Sequence, residues 1–463
     1  MSINNSFCSH GEILNLLPDN GLIYFAGIGG ISMGSLAMLC KSMGYRVSGY
    51  DRNTEEYETL RKDGITVYED CKGEHVKGAD FLVYSNAISE TNEDYIYAKK
   101  NGIPCISRAD MIGAISEKFK NRIAVCGMHG KSTTSALLLH IFEKCGKNPT
   151  ALIGAKTSTG KSGRIGKDDY LIIEACEYMR SFHSMPSENI IALNIELEHT
   201  DCYKNTEEVK CAFLKFLNMR YGGCKLINYE DANLMSIAKE IKGDLYTFSG
   251  RNENSDFYAR EIIPMPGKYE FDIYMKKERL GRVVLPLMGK HNVDNAVSAV
   301  AISYLLGIPF EEIKSAVSSF GGIKRRMEYK FSVGGADIYE DYAHHPSEIK
   351  ATLSALRDAG YKKEVCVFQP HTYSRTASFF DSFANSLVIS DKVILLDIYA
   401  AREKNIYGVT SEKLAVRIGN RAEYATDFSE AANMAKKHLE KGTALIIMGA
   451  GDVYKVLDFI KNS

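Results

Sequence analysis

Arg122-Ile123-Ala124-Val125-Cys126-Gly127-Met128-His129-Gly130-Lys131-Ser132-Thr133-Thr134 is the stretch from which the rest of the chain can be read. Its apolar, partly β-branched opening predicts a buried strand, the glycines predict a turn, and the apolar run Ser135 to Glu143 predicts a helix. Such a joint aims successive backbone N–H groups, and the positive end of the helix, at one point. Lys131 adds a cation suited to β- and γ-phosphates, and Ser132 a hydroxyl suited to Mg²⁺. The common phosphate loop G-x-x-x-x-G-K-[ST] would need glycine at position 125, which is Val125. Here the loop is the shorter G-x-x-G-K-S, with Gly127 and Gly130. A packing joint needs glycine only for φ > 0; Lys-Ser-Thr-Thr opening a helix points instead to a bound nucleoside triphosphate.

The 463 residues exceed one ordinary core and suit about three domains. Hydrophobic residues at 45% and charged residues at 25% fit a globular enzyme. Basic residues number 57 and acidic ones 58, a formal net charge of −1, which removes the electrostatic case for a nucleic-acid or membrane-surface partner. Met1 to Gly21 has no basic segment followed by a long apolar one, and no apolar run is long enough to span a bilayer. A cytoplasmic location is expected. The 11 cysteines form no C-x-x-C pair and read as reduced thiols, with Cys126 and Cys176 as small core residues.

Strand and helix patterns alternate in three segments, predicting an α/β protein of three domains in series. Residues 1–118 read as Rossmann-like, 119–322 as a central P-loop ATPase-type domain with a parallel sheet, and 323–463 as a second Rossmann-like domain. The first segment places Gly27-Ile28-Gly29-Gly30-Ile31-Ser32-Met33-Gly34 between the strand Leu22–Ala26 and a helix predicted over 35–43. Gly27 and Gly29 fit a dinucleotide fingerprint and Ser32 does not, while Asp51 ends the next strand where a ribose-reading carboxylate would sit. The turn therefore suits either a nicotinamide dinucleotide or another diphosphate such as that of a UDP-sugar. Glu174 and Glu177 end a predicted strand beyond the phosphate loop, and His199 follows another, so hard cations could sit there beside a triphosphate. Asn292 and Asn295 open a helix as caps or as adenine contacts. Arg325-Arg326, Asp341-Tyr342-Ala343-His344-His345-Pro346 and Gln369-Pro370-His371-Thr372-Tyr373-Ser374-Arg375 gather groups that neutralise anions.

Taken together, eight segments in order resemble the Mur ligases of peptidoglycan synthesis. They are Phe25 to Met33, Gly127 to Thr134, Glu174 to Glu177, Asn194 to His199, Gly289 to Asn295, Arg325-Arg326, Asp341 to Pro346 and Phe368 to Arg375. The resemblance runs from about residue 22 to the turn Gly449-Ala450-Gly451-Asp452. It implies an ATP-dependent amide ligase that activates the lactyl carboxylate of UDP-N-acetylmuramate as an acyl phosphate and joins it to L-alanine, with ADP and phosphate released. The resemblance implies ATP binding by Gly127, Met128, His129, Gly130, Lys131, Ser132, Thr133, Asn292, Asn295 and Arg326. It implies a UDP-sugar at Gly29, Gly30, Ser32, Met33, Asp51, Ser85, Ala87 and His129. Tyr342, His344, His371 and Arg375 fall at the amino-acid end. Ser132, Glu174 and His199 would hold magnesium (two ions, with manganese as a substitute). Lys131, Glu174, His199, Arg326 and His344 would carry the catalysis, and His199 or His344 is the candidate base for the amine. A monomer or weak homodimer is expected, with a C-terminal domain that closes over the other two.

The chain departs from the family pattern at Glu198, where aspartate is usual, at Met128, where threonine is usual, and at Tyr399-Ala400-Ala401-Arg402-Glu403. Three rival readings compete. A nicotinamide oxidoreductase leaves Lys131, Ser132 and Arg326 without a role. A non-catalytic nucleotide-binding module does not explain the joint presence of Glu174, His199, Arg326 and Arg375. A ligase of the same family that joins a ready-made tripeptide to the same UDP-sugar would need a wider pocket around Tyr342 and Arg375.

Overall fold

The computed structural model describes residues 10–54, 57–85, 87–154, 163–199, 201–265, 267–401 and 403–461. The opening nine residues, Asn86 of the turn after Tyr84, and Arg402 lie outside them. Three sheets follow one another along the chain. The first has β1 (Leu22–Ala26), β2 (Arg46–Tyr50), β3 (Thr66–Tyr68), β4 (Phe81–Tyr84) and β5 (Cys105–Ser107), all parallel, in the order β3-β2-β1-β4-β5. The turn after β1 thus lies where the strand order reverses, the place at which open α/β sheets bind ligands.

The second sheet contains β6 (Asn121–Cys126), β7 (Thr150–Leu152), β8 (Gly163–Arg164), β9 (Tyr170–Glu174), β10 (Asn189–Ala192), β11 (Cys224–Asn228), β12 (Asp244–Ser249), β13 (Phe257–Met265), β14 (Lys268–Met275) and β15 (Glu278–Leu285). Their order is β15-β14-β13-β12-β11-β10-β6-β9-β7-β8. The third comprises β16 (Glu328–Val333), β17 (Ala336–Asp341), β18 (Lys363–Phe368), β19 (Lys392–Leu395), β20 (Ala422–Tyr424) and β21 (Thr443–Met448), in the order β16-β17-β21-β18-β19-β20. Only β16 runs antiparallel within it. The α/β class with parallel sheets is as the sequence predicts.

Burial explains the strand pattern. Ile123, Ala124, Val125 and Cys126 are all fully buried, as central strands of a parallel sheet covered on both faces must be. The predicted helix after the phosphate loop starts earlier than its apolar pattern suggests. It spans Lys131–Lys144, so the polar Lys-Ser-Thr-Thr is its first turn rather than part of the loop. Beyond β18 the chain forms a pair of helices, Tyr373–Ser378 and Phe380–Leu387; Thr372 caps the first by accepting from the N–H of Arg375.

The chain divides into two compact units, one of Met1–Tyr258, Tyr274–Glu278 and Asn295–Ala316, the other of Ala259–Ile273, Arg279–Asp294 and Val317–Ser463. In the first unit, one apolar cluster runs from Phe25, Ile28 and Leu36 to Leu171 and Ile173, so the first sheet shares a core with β9 of the second. In the second unit, apolar clusters cover both faces of the third sheet, around Leu353 and Phe383 on one and Ala431 and Leu457 on the other. No helix among the described residues is long and apolar enough to cross a membrane.

Candidate active site

In the first unit, the phosphate loop links the end of β6 to the helix Lys131–Lys144. Gly127 and Gly130 take φ values of 143° and 86°, and a Cβ on Gly130 would lie 2.6 Å from the side-chain oxygen of Asn295. Both glycines are therefore required by backbone angle and by crowding. Asn194, just past β10, clamps the loop: its amide oxygen accepts from the N–H of His129 at 2.8 Å and its amide nitrogen donates to the His129 carbonyl at 3.0 Å. Thr134 donates to the Gly130 carbonyl, leaving the N–H groups of Lys131, Ser132 and Thr133 at the open helix end that favours anions. Met128 packs its side chain into the core beside Phe182 and Tyr203, so only its backbone faces the loop.

Lys131 ion-pairs with Glu177 at 2.9 Å and donates to the carbonyls of Gly127 at 2.5 Å and Met128 at 3.0 Å. Glu177 also accepts from Nε2 of His199 at 3.2 Å. Burial works against both charges, but each partner outweighs it: Lys131 is held above the usual lysine range and Glu177 below the usual carboxylate range. Glu177, Glu198 and His199 bring three ligand atoms within 4.8 Å of one another. Two carboxylates and an imidazole beside a phosphate loop suit Mg²⁺ or Mn²⁺, so the donor set fits the metal that the sequence implies. Backbone strain concentrates here, since Met179, Arg180 and His199 all take φ between 53° and 55°. Tyr203 fixes the segment by donating its hydroxyl to the Glu177 carbonyl at 2.7 Å.

Glu174 takes a different position. It ends β9 opposite Val125 of β6, and its carboxylate accepts from the N–H of Gly154 at 2.7 Å. Lys131 and His199 meet Glu177, three residues further on. The shared E-A-C-E run carries both glutamates, so sequence offers the pair and only the turn after β9 selects between them. Cys126 is a core residue as expected, whereas Cys176 is only half-buried in the turn after β9; burial pushes both thiols up, that of Cys176 to about 11, which keeps them inert.

The glycine turn of the first sheet is built by Asp51. Its carboxylate accepts from the N–H of Gly29 at 3.0 Å and of Asn53 at 2.9 Å. A Cβ on Gly29 would fall 2.3 Å from the Asn53 carbonyl. Gly30 is the N-cap of the helix Ile31–Ser42. Ser85 lies against Gly27, and Ala87 is exposed. Met33 is buried in the core, so its side chain is turned from the turn's open side. An Asp51 committed to two backbone N–H groups shapes the turn, which weakens its reading as a ribose-binding carboxylate.

In the second unit, basic and imidazole groups gather past β17 and β18. Arg325 and Arg326 flank the Tyr342 ring at 4.9 and 5.4 Å, but their duties differ. Arg325 donates to the carbonyls of Gly449 and Gly451 and pairs with Glu340 at 2.7 Å, which ties strand ends together. Arg326 reaches Glu348 at 3.4 Å. His344 donates from Nδ1 to the Tyr342 carbonyl at 3.0 Å, which leaves Nε2 as its acceptor. Arg375 lies 3.5 Å from Nδ1 of His371, whose ring stacks on Tyr399. Burial, with Arg375 nearby, pushes His344 and His371 down to about 4. Both imidazoles are neutral at pH 7. Asp341 is pushed up to about 6 by burial, although Arg326 and the N–H groups of Met327 and Ala343 oppose the shift. Glu403 accepts from both the N–H and hydroxyl of Ser374, fixing the start of the Arg375 helix. Asn292, six per cent exposed, donates to the Met288 carbonyl at 2.7 Å.

Family models cover most of this arrangement. The Mur ligase family catalytic domain matches residues 22–120, the Mur ligase middle domain 125–303, and the Mur ligase glutamate ligase domain 325–451. The chain belongs to the Mur ligase family. Among its curated relatives, the UDP-N-acetylmuramate–L-alanine ligase of Caldicellulosiruptor bescii is 38% identical over 94% of this chain and 97% of its own. That of Acetivibrio thermocellus is 39% identical over 96% and 97%. The fold matches the UDP-N-acetylmuramate–alanine ligase structure of Thermotoga maritima with a TM-score of 0.81 at 23% identity, covering 95% of this chain and 98% of that one. A murein peptide ligase of Psychrobacter arcticus matches with a TM-score of 0.69, also at 23% identity, over 96% and 98%. Membership gives the phosphate loop and the basic cluster a common enzymatic setting and leaves the nicotinamide reading without support.

Proposed function

We propose that this chain is an ATP-dependent ligase that joins L-alanine to the lactyl carboxylate of UDP-N-acetylmuramate, releasing ADP and phosphate. The ATP half rests on one observation: Lys131 stands charged at a phosphate loop and open helix end, beside Glu177 and His199. The substrate half rests on relatives 38 to 39% identical along nearly the whole chain and bearing that activity in their names. The three family segments would divide the work, with UDP-sugar at the Gly29–Gly30 turn, ATP at the phosphate loop, and the amino acid beside Tyr342, His344, His371 and Arg375.

Two anions must meet when a carboxylate attacks a phosphate, and the approach is unfavourable until cations offset the charge. Lys131 and the helix N–H groups supply that on the nucleotide side. Arg326 and Arg375 supply fixed positive charge in the second unit, where Glu348 and His371 hold them. Ser132, Glu177, Glu198 and His199 would hold magnesium, with Glu174 at the end of β9, and the ion would neutralise phosphate charge when bound. The incoming amine must lose a proton, and Nε2 of His344 would accept it, as a weak base because burial holds the imidazole down to about 4.

The test is phosphate release from ATP and Mg²⁺ with UDP-N-acetylmuramate, adding L-alanine or the tripeptide L-alanyl-γ-D-glutamyl-diaminopimelate separately. Release that depends on L-alanine, with a UDP-sugar product heavier by one alanyl residue, is the expected result. Release only with tripeptide moves the substrate assignment. No release with either overturns the reading.

A further inference from the structure

Glu348 occupies the third position of the helix Pro346–Asp358, just beyond β17. Its Oε2 accepts from the N–H of His344 at 3.1 Å and of His345 at 3.3 Å, closing a capping box in which His345 takes the place usual for serine or threonine. A neutral acceptor would serve the cap equally well. Yet the same carboxylate meets two more groups. Its Oε1 lies 3.4 Å from Nη1 of Arg326, and its Oε2 lies 3.3 Å from Nδ1 of His344. Glu348 is only 13% exposed, so these contacts are poorly screened.

The surroundings make the charge matter. Arg326 is a long side chain that loses rotamer freedom on being ordered. One anchored Nη1 aims the rest of the fork, leaving its other N–H donors for an anion. Around His344, burial first and then Arg375 and Arg326 push the imidazole towards neutrality, and Glu348 opposes them. The Nδ1–H that faces Glu348 and the Tyr342 carbonyl fixes which nitrogen is left as acceptor.

We propose that Glu348 is a positioning residue: through the charge that its capping role does not require, it holds the Arg326 fork and the His344 ring in one fixed relation. The functional weight of that relation rests on the ligase reading above, whereas the geometry does not. A cap-only role makes a different prediction, and Glu348→Gln separates the two, since glutamine keeps the acceptor oxygen for the cap and removes the charge. Glu348→Ala removes both.

The experiment compares wild type, E348Q and E348A by thermal melting, by steady-state kinetics, and by side-chain ¹⁵N NMR of Arg326 and His344. E348Q is expected to melt near wild type, with E348A lower. In E348Q the separate Nη signals of a fixed Arg326 fork merge and the Nδ1–H signature of His344 weakens. The KM for L-alanine then rises about tenfold or more, with a smaller fall in kcat. Unchanged Arg326 and His344 signals in E348Q overturn the proposal, and so does wild-type KM and kcat in that variant. If the wild-type enzyme itself forms no product, the ligase reading falls, and the NMR comparison still decides the role of Glu348.

Discussion

The two charged clusters of this molecule treat burial in opposite ways. At the phosphate loop, Lys131, Glu177 and His199 form one connected set in which a cation meets a carboxylate, and both Lys131 and Glu177 keep their charges despite burial. Past β17 and β18, His344 and His371 are half-buried near Arg375, and both are held neutral instead. Burial raises the cost of any charge. Whether the charge survives then depends on whether the partner's attraction outweighs that cost, as Glu177 does for Lys131 and Glu348 does not for His344. A nucleotide site needs a standing cation. The imidazoles past β17 and β18 present neutral acceptor nitrogens instead.

Several changes would break or sharpen this contrast. Lys131→Ala has the largest expected effect, a loss of ATP-dependent phosphate release of about a thousandfold or more, because the standing cation is gone. UDP-sugar binding by calorimetry should remain close to wild type, since the Gly29 turn is built without Lys131; near-normal turnover would remove Lys131 from the ATP site. Glu177→Ala strips the partner from a buried lysine and should cost about 3–5 kcal/mol in denaturant melts. A loss below 1 kcal/mol would mean that the pair adds little.

Arg375→Ala should lower kcat/KM for L-alanine by about tenfold to a hundredfold, the range for a charged hydrogen bond. It should also let the His371 imidazole rise from about 4 in an NMR titration, since Arg375 contributes to the depression. An unmoved His371 would leave burial as the whole cause.

The imidazoles also set a pH dependence. Their folded values lie near 4, below the ordinary value of about 6.5, so the unfolded chain takes up protons first as pH falls. Their contribution to stability is present above about pH 6.5 and is lost between there and about pH 4. Thermal melts of a double His344→Asn, His371→Asn variant should fall less over that window than wild type, and equal falls would contradict the neutral-imidazole assignment.

The smallest effect is expected at the opposite end of β18. Glu364 is buried there, pushed up to about 7 by burial despite Arg357 at 3.2 Å. A raised folded value makes its protonated form the stabilising one, so its contribution is present below about pH 4.5 and lost as pH rises through about 7. The melting temperature of Glu364→Gln relative to wild type should therefore climb between pH 5 and pH 8, and a flat difference would show the carboxyl ionising freely.

Much of this was legible in the sequence because the signals are local. Glycines next to Lys131 and Ser132 announce a strand–turn–helix, and the observed Gly130, in a left-handed conformation, requires one. Apolar runs such as Ile123 to Cys126 announce buried parallel strands. Polar helix starts were harder to read: the first turn of Lys131–Lys144 looked like loop because its residues, Lys131 to Thr134, are polar, although Thr133 and Thr134 are buried. Glu348 escaped notice because its cap partner is a histidine, which disguises the serine or threonine spacing of a capping box. By residue type Arg325 and Arg326 are alike; the family resemblance singles out Arg326, and their surroundings give Arg325 a strand-end tie and Arg326 its contact with Glu348.

By itself, the sequence determined the α/β class, the phosphate loop, the charged groups available and the family, since each depends on residues near one another in the chain or on motifs in a fixed order. Tertiary structure decided which of those groups meet. It chose Glu177 over Glu174 as the partner of Lys131, set Asp51 to hold a turn, and made His344 and His371 neutral. Such choices depend on distance and burial across residues far apart in sequence, and Coulomb energy falls with that distance and grows as water is excluded.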